Sequence, residues 1–210
     1  MGEQLSEIKN PNHPLKGSSI RVDPIRDLAA LEAIKKNLAH KPRDLCLFTL
    51  GINTGYRANE LLALTVGHVA QVKPGGRVTL KQSKTGQYRT VYLNRTCINA
   101  VQYWLEIHPN AHATTPLFLS RKKHRLRHGL KALNVSTVSV MVKQWCQAAD
   151  LIGNYGSHSL RKTWGYHQRT LNNTSLALLM KAFGHASESQ TMDYIGIEDE
   201  EIRKLYEMEL

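Results

Sequence analysis

The sequence predicts a mainly α-helical domain with one small antiparallel sheet of three strands. Apolar residues recur at helical spacing through most of the chain, a pattern typical of helices that bury one face. Short segments with strand character lie between residues 66 and 93. The turn-forming residues 84–87 separate the last two of these segments, which favours a hairpin.

The N-terminal half is predicted to contain an arm, three helices and the sheet. Residues 1–22 are polar and lack a sustained apolar pattern, so we interpret them as an arm or linker. Asp23 and Pro24 offer an N-cap and a first-turn proline for the first helix. The second helix ends at Gly55 and the third begins at Arg57, where the helix dipole favours a phosphate. The three predicted strands cover residues 66–72, 77–82 and 88–93.

The C-terminal half is predicted to be helical. Ser157 is a suitable N-cap for the helix that carries His158 and Arg161, which are three residues apart and share a face. Ser187 caps the helix that carries Tyr194. Three further helices are expected over residues 97–107, 136–149 and 174–183.

The charge of the chain favours a polyanionic partner. Its 210 residues include 28 lysines and arginines against 17 acidic residues, a formal charge of +11. The densest cationic run contains no acid, which favours contact with a DNA backbone, although a solvated basic loop stays open as the alternative. The candidate DNA-binding residues are Arg121, Lys122, Lys123, Arg125 and Arg127.

Several classes of site are not expected. His124 and His128 are four residues apart, but the cations around them would repel a divalent metal and no acidic or cysteine ligand lies nearby. The three cysteines are far apart in apolar surroundings, which is typical of reduced core residues in a cytosolic protein. No apolar stretch approaches the roughly 20 residues of a membrane span. We therefore expect no metal, no cofactor and no membrane partner, and a cytoplasmic location with the nucleoid.

The sequence also carries residues suited to phosphoryl transfer. Arg57 and Arg161 can hold the non-bridging oxygens of a phosphodiester bidentately and stay charged at any working pH. Lys84, at the tip of the predicted hairpin, can protonate the leaving 5′ oxygen. Tyr194 can act as the nucleophile when nearby cations or a base such as His158 assist its deprotonation. A covalent phosphotyrosine retains the free energy of the phosphodiester, so the strand can be rejoined without ATP.

The order and spacing of these residues resemble the catalytic set of the tyrosine recombinases, the phage integrase family. The resemblance covers about residues 24–197. The matching segments are Thr54-Gly55-Tyr56-Arg57-Ala58-Asn59-Glu60-Leu61, Ser83-Lys84-Thr85-Gly86, His158-Ser159-Leu160-Arg161, Gly184-His185 and Tyr194. The resemblance implies a tyrosine-recombinase catalytic-domain fold and a catalytic set of Arg57, Lys84, His158, Arg161, His185 and Tyr194.

Two roles come from the resemblance itself. His185, nine residues before Tyr194, is expected to hydrogen-bond a phosphate oxygen. Glu60, three residues after Arg57, matches an acidic position of the family and is expected to orient that arginine. Lys162 and Phe183 stand where the family often has histidine and leucine, and these departures concern local packing.

The resemblance implies a site-specific recombinase or integrase that cuts and rejoins DNA through a 3′-phosphotyrosine, without metal or ATP. The expected partners are double-stranded DNA and other recombinase protomers assembled on it. Two alternatives stay open: a type IB topoisomerase, which uses a similar residue set, and a catalytically silent DNA-binding protein.

Three units are predicted, namely an arm or linker of residues 1–22, a catalytic domain of residues 23–197 and a C-terminal helix of residues 198–210. The last helix has a narrow apolar stripe that either docks on a neighbouring protomer or folds back onto its own domain. The stripe consists of Ile202, Leu205 and Met208. The arm is too short for the N-terminal domain that the family usually carries. The chain is therefore expected to be an excised catalytic domain or a short member of the family.

Overall fold

The computed structural model describes residues 21–81, 86, 88–120 and 130–196, together with residues 203, 206, 207 and 209. Within these ranges the chain forms nine named α-helices and two strands. The elements are α1 (Leu28–Asn37), α2 (Pro42–Thr54), α3 (Ala58–Leu62), α4 (Val66–Val69), β1 (Arg77–Lys81), β2 (Tyr88–Tyr92), α5 (Arg95–Leu105), α6 (Val135–Gln147), α7 (Ser157–Thr170), α8 (Leu176–Phe183) and α9 (Glu188–Ile195).

The predicted hairpin is present, but the described part of the sheet has two strands where three were predicted. Strands β1 and β2 are antiparallel, and Arg77 lies opposite Tyr92. The strand predicted over residues 66–72 is wrong, because the segment forms the helical turn α4. Val66 and Val69 are both buried by this turn. Their spacing of three residues fits one helical face, although β-branched residues are also common in strands.

The first helix begins later than predicted. The Asp27 carboxylate, not that of Asp23, caps α1 by accepting a hydrogen bond from the Ala29 N–H at 2.8 Å. Asp23 instead pairs with Asn154, and its carboxylate accepts the Asn154 N–H at 3.0 Å. Asp23 is therefore part of a non-helical segment that precedes α1, residues 21–26, which we call the strap.

Two hydrophobic clusters form the interior of the described chain. The main cluster contains residues of α1, α2, α5, α6 and the sheet, and it includes the buried, disulfide-free thiols of Cys46, Cys97 and Cys146. The smaller cluster comes from α7, α8 and α9 and consists of Tyr166, Leu179, Phe183 and Ile195. Helix α7 joins the two, because Leu160 belongs to the main cluster and Tyr166 to the smaller one.

A glycine in α7 allows the smaller cluster to pack closely. A Cβ atom at Gly165 would lie 2.4 Å from Cζ of Phe183 and 2.7 Å from Cγ2 of Ile195. These distances are well inside van der Waals contact, so a side chain at this position would push α8 and α9 away from α7. The bare backbone of Gly165 thus sets the distance between α7, which carries Arg161, and α9, which carries Tyr194.

Candidate active site

Arg161 lies at the junction of the two clusters and is 2% exposed. Its Nη1 donates to the carbonyl oxygen of Gly55, at the end of α2. Its Nη2 donates to the carbonyl oxygen of Phe183, at the end of α8, at 2.7 Å. Both acceptors are helix-terminal carbonyls that lack a partner in the next turn, so the arginine ties two helix ends together. Burial and then the nearby Arg89 lower the pKa of Arg161 to about 9, and the group stays charged at neutral pH.

Arg57 approaches the same carbonyl from a second direction. It is the N-cap residue of α3, and its Nη2 donates to the Phe183 oxygen at 3.3 Å. The two guanidinium groups of Arg57 and Arg161 therefore converge on one oxygen atom. The Arg57 side chain is 37% exposed, so this guanidinium can also reach a ligand from solvent.

Glu60 holds Arg57 in place. Its Oε2 accepts the backbone N–H of Arg57 at 2.6 Å, and its Oε1 accepts from the Arg57 side chain at 3.3 Å. The carboxylate is buried, with 7% of the side chain exposed, and it also lies 4.0 Å from Nη1 of Arg161. Glu60 is thus positioned between the two arginines, as expected for a residue that orients Arg57.

Arg89 is a third arginine in this cluster, with 12% of its side chain exposed, and it was not found from the sequence. It lies on β2, donates to Glu60 Oε2 at 2.8 Å and to the Gly55 carbonyl at 2.8 Å. Its guanidinium carbon also lies 5.3 Å from the Tyr56 ring centroid, within cation–π range. Burial lowers the pKa of Arg89, and the Glu60 carboxylate opposes that shift. One sequence signal could have identified it, because Arg89 shares the inward face of β2 with the buried Val91.

Tyr194 lies on α9, which begins after the N-cap Ser187 and ends at Gly196. Its ring centroid is 5.0 Å from that of His185 and 5.3 Å from that of Phe183. The hydroxyl oxygen is buried and has no hydrogen-bond partner within the described chain. Burial raises the pKa of Tyr194, while Arg161 lies close enough to oppose that shift. The phenol is therefore protonated at neutral pH in the free protein.

His185 lies next to Tyr194, the candidate nucleophile, and is held there by stacking on Phe183 and by one hydrogen bond. Its ring stacks on Phe183 with a centroid distance of 5.0 Å and an interplanar angle of 19°. Its Nδ1 lies 3.1 Å from Oγ1 of Thr191, whose hydroxyl can donate to the Ser187 carbonyl at 3.1 Å. The expected hydrogen bond from His185 to a phosphate oxygen requires a proton on Nε2, and in that tautomer the Thr191 hydroxyl donates to Nδ1 instead. Burial and the neighbouring arginines lower the pKa of His185 to about 4.

His158 lies on the solvent side of the cluster, in the first turn of α7. It lines a cavity of about 500 Å³ together with Tyr194, Lys162 and Gln190. Burial and the charge of Arg161 lower the pKa of His158, so its imidazole is neutral at pH 7. A neutral imidazole in the same cavity as the phenol is suited to accept a proton.

The strap fixes the C-terminal end of the Tyr194 helix. Arg21 donates to the Asp193 carbonyl, and Arg26 donates to the Gly196 carbonyl at 2.9 Å. The strap is itself anchored to α7, since the Ile25 N–H donates to Oγ1 of Thr163 at 2.8 Å. Cations at the last carbonyls of a helix stabilise it, so the strap positions α9 from the side opposite its N-cap.

Some predicted residues lie outside the described residues. They are Lys84, the basic run Arg121, Lys122, Lys123, Arg125 and Arg127, and the tail residues Ile202, Leu205 and Met208. The two strands that flank Lys84 are paired as predicted. Of the described residues, no group of three or more histidine, cysteine, aspartate or glutamate side chains is arranged to hold a metal. Within the same ranges, every helix is too short or too polar to cross a lipid bilayer.

A comparison with protein families decides the affiliation. The sequence model of the phage integrase family matches residues 16–201, which is most of the chain. The chain belongs to the phage integrase family. This confirms the resemblance inferred from the arginine, histidine and tyrosine motifs.

Two relatives of different length are similar to this chain in sequence. Tyrosine recombinase XerC of Caldanaerobacter subterraneus subsp. tengcongensis is 31% identical over 205 residues, which are 93% of this chain and 54% of that protein. The probable integrase/recombinase YoeC of Bacillus subtilis is 30% identical over 191 residues, 89% of this chain and 96% of that protein. The chain thus spans about half of the first relative and nearly all of the second.

Two solved recombinase structures share the fold of this chain. The XerA recombinase superposes with a TM-score of 0.69 at 19% identity, over 90% of this chain and 65% of that one. The XerH site-specific recombinase bound to palindromic difH substrate, a post-cleavage complex, superposes with a TM-score of 0.65 at 22% identity, over 90% and 54%. These values confirm the predicted mainly helical catalytic-domain fold.

Proposed function

We propose that the chain is a site-specific DNA recombinase that cleaves and rejoins strands through Tyr194. The observation that carries the proposal is the convergence of Arg57 and Arg161 on one oxygen, the Phe183 carbonyl. The side-chain ring of the same residue lies 5.3 Å from the Tyr194 ring, centroid to centroid. Two guanidinium groups that reach a single oxygen can also share a non-bridging oxygen of a phosphodiester. Arg57 and Arg161 would then already be in position to stabilise the negative charge that develops on the phosphate in the transition state.

The bond changes follow from this arrangement. The Tyr194 oxygen forms a bond to phosphorus, and the bond from phosphorus to the 5′ oxygen breaks, which leaves a 3′-phosphotyrosine and a 5′ hydroxyl. The phenol proton passes to a base, for which His158 is the candidate, and Lys84 is the candidate donor to the 5′ oxygen. The reverse reaction rejoins the strand. The two arginines supply the positive charge that a metal ion supplies in other phosphoryl-transfer enzymes, so neither metal nor ATP is required.

Further parts of the proposal concern partners. We assign the basic run, Arg121 to Arg127, to contacts with the DNA backbone, in keeping with the charge of +11. We assign the tail, residues 198–210, to contacts with other protomers assembled on DNA. We also assign the protein to the cytoplasm, associated with the nucleoid when it is bound to DNA. The relatives described above are named as recombinases, which favours this function over topoisomerase-like relaxation.

The test is capture of a covalent complex, and it does not require a known target. A pool of random-sequence duplexes, each with one nick, is incubated with the protein so that cleavage near the nick releases a short fragment and traps the adduct. Denaturing gels should show a covalent DNA complex with the wild-type chain, in the presence or absence of EDTA, and none with Tyr194→Phe. An adduct that persists in Tyr194→Phe, or that requires magnesium, would contradict the proposal.

A further inference from the structure

A second cavity, lined mainly by polar groups, lies next to the cavity that contains Tyr194. It has a volume of about 370 Å³ and is enclosed by the strap, α7 and the end of α9. The residues that line it are Arg21, Val22, Asp23, Pro24, Arg26, Lys162 and Gly196. Arg21, Val22 and Lys162 also line the cavity that contains Tyr194 and His158, so the two cavities share a wall.

The lining of this cavity is strongly cationic. Three cations, Arg21, Arg26 and Lys162, face one carboxylate, that of Asp23, among its described lining residues. The Asp23 carboxylate already accepts the Asn154 N–H at 3.0 Å. A cavity with this excess of positive charge is suited to an anion, since bringing three cations together without one is unfavourable.

The bonds of the strap fix the two arginines at the cavity. Arg21 donates to the Asp193 carbonyl, and Arg26 donates to the Gly196 carbonyl at 2.9 Å. Both residues are exposed, so they stand at the solvent edge of the cavity. Such placement reduces the conformational entropy that long cationic side chains lose when they bind a ligand.

Lys162 forms the inner wall of the cavity. It is 6% exposed, and its ammonium nitrogen lies 5.1 Å from the ring centroid of Tyr194. Burial and then repulsion from Arg21 lower the pKa of Lys162 to about 8, with Asp23 opposing the shift. A buried ammonium beside two further cations is costly, and a phosphate in the cavity would relieve that cost.

We propose that Arg21, Arg26 and Lys162 bind a second phosphate of the DNA strand, adjacent to the phosphate that Tyr194 attacks. The inference rests on the proposed function. Because Lys162 contacts the Tyr194 ring and lines both cavities, a phosphate held there would fix the strand relative to the nucleophile. Free inorganic phosphate has the same chemistry, so the test has to separate the two sources.

The experiment is a double-mutant cycle between the protein and single phosphates. All proteins carry Tyr194→Phe, so binding is measured without cleavage, on a duplex selected from a random pool by binding alone. Single phosphates are replaced by uncharged methylphosphonates along each strand. The affinity of each modified duplex is measured for the parent, for Lys162→Met and for Arg57→Lys. The charge-matched control is Lys36→Met, which removes an exposed cation on α1.

One phosphate should depend on Lys162. Replacing this phosphate with a methylphosphonate should weaken the binding of the duplex by the parent and by the Lys36→Met control about tenfold. Loss of a hydrogen bond to a charged group has an effect of about this size. The same replacement should have little further effect in Lys162→Met. The phosphate that couples to Arg57→Lys should lie one or two nucleotides away on the same strand. If Lys162→Met fails to fold, as judged by thermal melting, the double variant Arg21→Gln and Arg26→Gln takes its place.

Two results would overturn the inference. The first is that every methylphosphonate weakens DNA binding by the same factor in Lys162→Met as in the parent, so that no phosphate is coupled to Lys162. The cavity would then not bind a DNA phosphate. Coupling to the Arg57-linked phosphate alone would assign Lys162 to the site already described. Titration with inorganic phosphate distinguishes a DNA phosphate from a free one. If the free ion binds in a Lys162-dependent way while no DNA phosphate is coupled to Lys162, the cavity binds a free anion. Failure of the proposed function itself would be seen separately, as the absence of a covalent adduct with the wild-type chain.

Discussion

The Arg89 guanidinium donates to the buried Glu60 carboxylate at 2.8 Å. Through this contact the hairpin strand β2 holds the carboxylate that in turn holds Arg57. Arg89 also donates to the Gly55 carbonyl, which accepts from Arg161 as well. Arg89, which is not among the residues that line the Tyr194 cavity, therefore holds Glu60 and shares the Gly55 carbonyl with Arg161.

Arg89→Met should lower the free energy of unfolding by about 3 kcal/mol or more, since it leaves part of a buried carboxylate uncompensated. Cleavage should slow as well, because Arg57 and Arg161 lose their support. Chemical denaturation and adduct formation measure the two effects. Arg77→Met, an exposed arginine on β1, serves as the control and should change stability little. An unchanged unfolding midpoint in Arg89→Met would show that Glu60 is held by Arg57 and Arg161 alone.

Removal of either phosphate-site arginine should affect the rate more than the binding of DNA. Arg57→Ala and Arg161→Ala are expected to slow covalent adduct formation by on the order of 10²-fold or more, since the charge they meet is largest in the transition state. Arg57→Lys and Arg161→Lys should restore little, because an ammonium cannot reproduce the planar fork. Single-turnover rates at saturating protein test this. Near-normal rates in both lysine variants would place the phosphate elsewhere.

The lowered pKa of His185 makes stability depend on pH in a defined direction. Its pKa is about 4 in the folded chain and about 6.5 when exposed, so between these values the unfolded chain binds more protons. Stability should therefore fall as the pH drops from about 6.5 towards about 4. The pKa values of His158 and His167 are also lowered and add to the same trend. The melting temperature of His185→Gln should fall less steeply over this range, and a slope equal to that of the wild type would contradict the assignment.

The C-terminal tail remains a prediction from the sequence. Deleting residues 198–210 should leave folding and single-site DNA binding largely intact and should impair assembly of paired-site complexes. The apolar stripe in this segment is too short to support a stable dimer in the absence of DNA. Thermal melting and native gels of full-length and truncated protein provide the measurement. Unfolding on truncation would show that the tail belongs to its own core, and unchanged pairing of sites would remove its role between protomers.

The sequence was most informative where chemistry restricts the residue type. The spacing of His185 and Tyr194 and the motifs around Arg57 and Arg161 identified residues that the fold brings together. The pairing of the two strands that flank Lys84 was also predicted, because turn-forming residues separate two segments with strand character.

Other features depend on tertiary contacts that local patterns do not encode. Residues 66–72 were predicted to form a strand, yet Val66 and Val69 are buried by a single helical turn. Asp23 suited an N-cap, but it pairs with Asn154, which is far away in the sequence. Arg89 was missed because a buried arginine is recognised by its partners, and Glu60 and Gly55 come from another part of the chain.

The most direct test of the account is identification of the amino acid that carries the DNA. Trypsin cleavage after Lys181 and Arg203 releases a peptide in which Tyr194 is the sole tyrosine. Mass spectrometry of the nuclease-trimmed adduct should find this peptide linked to a nucleotide through its 3′ phosphate, with a free 5′ hydroxyl on the released strand. Attachment to another residue, or through a 5′ phosphate, would contradict the central claim that Tyr194 is the nucleophile of a tyrosine recombinase.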